Sequence, residues 1–279
     1  MTITATDVVS DTDVEAILEE RTQEMYQFRR AYRDHDATDI DSGTHTFPQA
    51  DDNVRGAMNQ IGEQGTYPRV GLNYSGVDAT YLKDGFEIAI SDEAISDSSF
   101  DVVLDATEEM AIAAESRLDS LAWTLMDPNG GDNNNDDGPI GTDGTDLNFT
   151  GLVNAYTTMV DDEMVPSRFE VYCSPDAWGD LATDSNFNRA TESGDALARQ
   201  GMLGEVFGMP IAITNTGDLV ADEAILVDTG KYGYESTRWE REVTNYRNEQ
   251  EDEDVFKIRH RKDFVAMDSE AAIFLQGGV

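Results

Sequence analysis

Residues 98–126 carry an apolar stripe at helical spacing, made by Phe100, Val103, Leu104, Met110, Ala111, Ala114, Leu118, Leu121 and Leu125. At 1.5 Å of rise per residue the twenty-nine positions make a helix roughly 43 Å long, more than most compact cores of this chain length hold. Any fold for this chain has to house that helix. A coiled coil fits less well, because alanine and threonine dilute the stripe and no charged flanking pattern is sustained.

The surroundings of the stripe point to a mixed α+β chain. Residues 85–90 alternate as a half-buried strand, and 91–97 read as a capped helix start. After the stripe, residues 127–138 are rich in Pro, Gly, Asn and Asp, and the turn-forming composition runs on to Asp146; this is the expected hinge between two lobes. Beyond it a helix (Leu152, Val153, Tyr156, Met159, Val160), a strand at 169–173, a helix with Trp178 and Leu181, and strands at 210–214 and 224–227 alternate as in an α/β lobe. Gly201 and Gly204 lead into the strand at 210–214 as a turn, without the lysine a phosphate loop needs.

The chain from Trp239 to Met267 reads as a long hairpin: Trp239, Arg241, Val243 and Asn245 alternate on one strand, Phe256, Ile258 and His260 on the other, with an acidic connection at 247–254. Lys257, Arg259 and Arg261 form a basic row on the opposite face of the second strand. Pairing with carboxylates of the adjoining strand or of a neighbouring subunit is the expected role, and a DNA-facing patch is the alternative. Residues 11–33 read as an amphipathic helix behind a Thr12–Glu15 capping box, ending in Arg29, Arg30 and Arg33. Those arginines complement the helix dipole and pair with acids, or else face DNA. Residues 47–80 show no sustained period, as in a disordered segment or a functional arm.

Fifty-seven Asp and Glu against nineteen Lys and Arg give a formal charge of −38, with lysine only at positions 83, 231, 257 and 262. The acid is spread along the chain and aromatics make up 9%, which argues for a folded, salt-adapted protein over an acidic tail or a nucleic-acid mimic. Molar salt shortens the Debye length to roughly 3 Å, so like charges on one surface stop repelling. One cysteine, Cys173, excludes an intrachain disulfide framework, and its apolar strand makes it a buried thiol. No apolar run reaches the roughly 20 residues of a bilayer span, and the amino terminus has no export signal, so synthesis in the cytoplasm is expected.

Short catalytic signatures are missing: there is no zinc-protease pair, dinucleotide fingerprint or serine elbow, and the three histidines are scattered. No catalytic residue and no cofactor follow from the sequence. Asp132, Asn134 and Asp136 have the alternating oxygen spacing of calcium loops, but the downstream glutamate and the correctly placed glycine are missing. A solvated loop is the favoured reading of that segment, and a cation site the alternative.

The order of pieces, most clearly the strand ending at Ser174–Pro175, the helix of Trp178 and Leu181, the Gly201 to Thr214 turn and strand, the 224–228 strand and the closing hairpin, resembles the HK97-fold major capsid protein of tailed viruses. The resemblance implies an N-terminal arm (1–46), an extended β loop (47–80), a peripheral domain (81–130 and 232–279) built on a spine helix at about 98–126, and an axial domain (131–231). It implies a non-enzymatic subunit that assembles with itself as pentamers and hexamers into an icosahedral shell around double-stranded DNA, bound without sequence specificity. Portal, scaffold, maturation protease and vertex or decoration proteins would be its partners, and the virion capsid its location. Some members cross-link the extended loop through lysine and asparagine; here the loop has no lysine before Lys83. The lack of a long scaffolding segment implies a separate scaffold or a trimmed chain, and the acidity points to a virus or provirus of salt-loving archaea. The rival readings are an encapsulin-like compartment and a halophilic enzyme.

Overall fold

The computed structural model describes residues 27–50, 60–61, 63, 65–67, 69, 71, 73–98, 102–127, 138–142, 144–184, 205–214, 219 and 222–277. In chain order the strands are β1 (Tyr32–Asp36), β2 (Thr44–Ala50), β3 (Tyr74–Thr80), β4 (Asp84–Ser91), β5 (Phe169–Cys173), β6 (Glu205–Val206), β7 (Met209–Ile213), β8 (Glu223–Asp228), β9 (Gly233–Asn248), β10 (Glu253–Ala266) and β11 (Ala272–Gln276). The α-helices are Asp92–Asp97, Val102–Met126, Phe149–Asp161 and Pro175–Thr183. They form a mixed α+β fold with a four-stranded sheet β1-β9-β10-β4, a five-stranded sheet β11-β8-β5-β7-β6 and a two-stranded ribbon β2-β3.

The long helix is present over Val102–Met126, and its two ends serve two different cores. Met110 and Ala114 pack with Ile90, Phe256 and Ile258 of the four-stranded sheet. Farther along, Leu118, Ala122, Trp123 and Met126 join a larger core that contains β5, β8 and β11. The expected start at residue 98 is displaced, because Ser98 is extended (φ −76°, ψ 142°) and separates the long helix from the short one. Ser91 caps that short helix by accepting from the Ala94 N–H at 3.3 Å. Asn148 and Ser174 cap the two later helices in the same way, through the Gly151 and Ala177 N–H groups.

In the five-stranded sheet β5 is central and wholly buried, paired parallel to β7 and antiparallel to β8. A strand covered on both faces has no polar side to present, which is why 169–173 reads as a short continuous run. The last strand departs from the expected partition. Residues 232–279 were expected to belong together with the hairpin, yet β11 pairs antiparallel with β8 and completes the other sheet. Its Ala272, Ile273, Phe274 and Leu275 are all buried, so it needs a position shielded on both faces. Ile140 covers its outer edge through Ile140 N–H to Phe274 O and Gln276 N–H to Ile140 O, each 2.9 Å.

The other departure is at the amino-terminal side. Phe28–Ala31 form a 3-10 turn, and Tyr32 and Arg33 lie in β1 rather than at the end of an amphipathic helix; residues 11–26 of that expected helix lie outside the described set. Phe28 inserts between Trp123 and Tyr172 at ring separations of 4.8 and 5.8 Å, and β1 pairs parallel to β9 from Tyr32↔Gly233 onward. These long-range contacts outweigh a local helical period. The ribbon starts at Thr44, three residues before the expected loop, and pairs Thr44↔Thr80 through Ala50↔Tyr74.

Candidate assembly surfaces

The amino-terminal turn is fastened to the long helix and the four-stranded sheet by charge. Arg29 pairs with Glu115 of the long helix and with Glu235 of β9 (2.7 Å), Arg241 also reaches Glu115 (2.6 Å), and Lys262 reaches Glu235 at 3.3 Å. Glu235 has only 4% of its side chain exposed. Burial pushes its carboxyl up, but Arg29 and Lys262 outweigh burial and hold it below the usual range. The sequence-expected arginines therefore act as structural partners: Arg29 in this cluster, Arg30 against the buried Glu170 at 3.0 Å, and Arg33 over the Tyr234 ring at 4.4 Å.

At the root of the ribbon, rings gather that the sequence shows only as scattered residues. His35 of β1 stacks on His45 of β2, Phe47 stands edge-on to both, and Phe47 stacks on Tyr234 at 5.1 Å. Nδ1 of His35 lies 3.0 Å from Oγ of Ser236, which lies 2.6 Å from the Tyr81 hydroxyl. Farther out the ribbon is exposed, with Tyr74 at 65%. A two-stranded ribbon is marginal in water by itself.

Within the basic row of β10, Arg259 pairs with a carboxylate of the adjoining strand as cross-strand chemistry suggested, while Arg261 finds a backbone carbonyl and a ring instead. Arg259 is opposite Glu242 in the register and donates to its carboxylate from Nε and Nη2 at 2.9 and 2.7 Å. Arg261 donates to the Tyr81 carbonyl and lies 4.9 Å from the Trp239 ring centroid; Lys257 faces Glu87 and Thr244 in register. At the hairpin tip Arg247 makes a two-pronged contact with Asp92, 2.5 and 2.6 Å, tying the acidic turn to the first turn of the short helix.

Cys173 is buried in the five-stranded sheet, and burial pushes its thiol up to about 12. Asp132, Asn134 and Asp136 lie outside the described residues. Asp146, Asp180 and Asp222 instead converge, with one oxygen from each within 4.8 Å of the others. They come from three separate segments, so no local spacing could have revealed them. Burial, then the Asp222 hydrogen bond and the charges of Asp146 and Asp222, push the Asp180 carboxyl up. A cleft of about 200 Å³ between β4, β10 and the long helix is lined by Phe86, Ala114, Arg117, Ile258 and His260, and His260 is only 3% exposed. Among the described residues no helix is long and apolar enough to cross a membrane.

No curated protein sequence matches this chain. Solved structures do resemble it. One from Mycobacterium phage Che8 superposes with a TM-score of 0.68 at 12% identity, over 90% of this chain and 91% of that one. The capsid of a native GTA particle gives 0.66 at 13% identity over 91% and 90%, and the capsid of Cyanophage P-SCSP1u 0.65 at 12% over 100% and 93%. At such identities the likeness establishes the fold, which is the HK97-like capsid fold over nearly the full length. The sequence model of the phage capsid protein family matches residues 77–274, from the ribbon's second strand to β11. With that match over well more than half of its length, the chain belongs to the phage capsid protein family, a structural and non-enzymatic one.

Proposed function

We propose that this chain is the major capsid protein of a tailed virus or provirus of salt-loving archaea, assembling as pentamers and hexamers into an icosahedral shell around double-stranded DNA. Its membership of the phage capsid family carries the general part: it is a capsid protein of the tailed-phage type and a component of the virion shell. The exposed outer ribbon supports assembly with other copies, since a two-stranded element with 65% exposure at Tyr74 gains stability by lying on a neighbour. The formal charge of −38 supports the salt-loving host, because only concentrated salt screens such a surface well enough for copies to pack. A portal, a scaffold, a maturation protease and vertex or decoration proteins complete the assembly in this reading. Electron microscopy of the purified protein in molar salt, with and without scaffold partners, tests it. Closed particles are expected. Monomers and dimers at every concentration would refute it, and closed shells that package a cargo enzyme instead of DNA would indicate a cellular compartment.

A further inference from the structure

A buried base stands where the long helix meets the edge of the four-stranded sheet. The β9–β10 register shifts between Arg259 and Arg261, so His260 keeps a register partner in β4, Asp84, and has none in β9. A bulge of this kind re-aims a side chain. The His260 imidazole lines the cleft beside the long helix and is 3% exposed. Its Nε2 has no hydrogen-bond partner among the described residues, whereas buried polar atoms are nearly always paired. On the solvent side of the same cleft, Nε of Arg117 from the long helix lies 3.6 Å from an Asp84 oxygen. Asp84 therefore faces two bases, one across the strand pair and one on the helix.

We propose that Asp84 is the shared partner in an acid-operated latch: with His260 neutral it holds Arg117 and ties the long helix to β4, and with His260 protonated it turns to the imidazolium and lets the helix go. Both nitrogens of an imidazolium donate, and a buried cation needs a counter-charge. The charged groups around His260 are Asp84 of β4, Lys262 of its own strand, Glu115 and Arg117 of the long helix, and Arg241 of β9. Glu115 is already held by Arg29 and Arg241, and Lys262 by Glu235 and Glu240. Asp84 is held least firmly, since 3.6 Å exceeds a hydrogen bond and Arg117 is 53% exposed. Burial lowers the proton affinity of His260, Asp84 raises it, Lys262 lowers it, Glu115 raises it and Arg241 lowers it; the net position is below the ordinary 6.5. The stability of the neutral form is complete above that value and is lost as pH falls below it, so the latch opens on the acid side. The device belongs to the single subunit and does not depend on the shell reading.

The test follows isotope-labelled side chains of the full chain by NMR in molar salt, from about pH 8 to about 4.5. The Arg117 Nε–H resonance, assigned by its loss in R117K, is expected to shift with the same midpoint as the His260 ring. Amide exchange in β4 at about pH 5 should run about tenfold faster than in H260Q. H260Q should also abolish the Arg117 shift while leaving the His35 midpoint where it was. D84N changes a partly exposed side chain and should lower the His260 midpoint, because the carboxylate that favours the imidazolium is gone. An Arg117 signal that ignores the His260 titration would overturn the proposal, as would an Arg117 shift that persists in H260Q. An unchanged His260 midpoint in D84N would overturn it as well, and that variant decides alone if H260Q fails to fold.

Discussion

His35 and His45 lie with their rings stacked, centroids 5.0 Å apart and planes 19° from parallel, where the ribbon leaves the four-stranded sheet. Burial and then the neighbouring His45 hold the His35 imidazole below its ordinary value, while Asp36 pulls the other way. A base whose folded-state affinity for protons is lowered favours folding when neutral. The stability it contributes is complete above the unfolded value near 6.5 and is lost as pH falls below it.

The first prediction is therefore local. Between pH 7 and about 5, amide exchange in β2 and β3 should speed up before it does in the buried β5. Replacing His45 with Gln removes one of the two stacked imidazoles and should flatten that dependence. His260 is also lowered by burial, so H260Q serves as the control and should leave the ribbon's pH profile as it was. Uniform acceleration in both sheets would contradict a local effect.

Glu115 accepts from both Arg29 and Arg241, with 14% of its side chain exposed. Glu115→Ala leaves two half-buried guanidiniums short of an acceptor and should cost about 1–3 kcal/mol in denaturant unfolding. Because the pair joins the 3-10 turn to the long helix, protease cleavage near residue 27 should also quicken.

Asp222 offers a change in the opposite direction. Its backbone is left-handed (φ 68°), a conformation asparagine tolerates well. Asp180 beside it has a raised carboxyl, so it costs the fold stability once pH rises through and above the ordinary carboxylate range. Asp222→Asn should raise the melting temperature at pH 7, and the gain should shrink toward pH 3.5. A lower melting temperature at neutral pH would show that Asp222 is held by something other than its acidic neighbours.

Salt should govern the assembled state. As salt falls to tens of millimolar the Debye length grows to roughly 10–30 Å, and repulsion among copies reaches across their contacts. Particles should swell or dissociate on dialysis, as followed by light scattering. Shells that stay intact and uniform in dilute buffer would separate the charge from the salt requirement.

Covalent links between copies are not expected. Residues 47–80 contain no lysine, and Cys173 is buried with its thiol pushed up to about 12. Particles boiled in detergent without reductant should give one band near 30.7 kDa. A ladder that persists with reductant would point to Lys83, which precedes β4 by one residue.

What was legible in the chain follows from where each signal resides. The long helix, β4, the β9–β10 hairpin and the buried strands at 169–173 and 224–227 announce themselves by period or by unbroken apolarity. Tyr32 and Arg33 do not, because they become a strand only by pairing with residues about two hundred positions away. The sequence of β11 says that it is buried but not in which sheet. The meeting of His35 with His45, and of Asp146 with Asp180 and Asp222, depends on how separate segments are brought together. The basic row was readable as a row, and its partner Glu242 only through the hairpin's register.

One helix supplying two cores also removes independence from the lobes it joins. Stripping Leu118 to Met126 from the larger core leaves Met110 and Ala114 on a frayed support, and loosening the smaller core frees the other end. Neither lobe can melt privately, so the subunit should behave calorimetrically as one cooperative block, with equal calorimetric and van't Hoff enthalpies. A transplant of one lobe onto a foreign partner would carry half of its neighbour's foundation away with it.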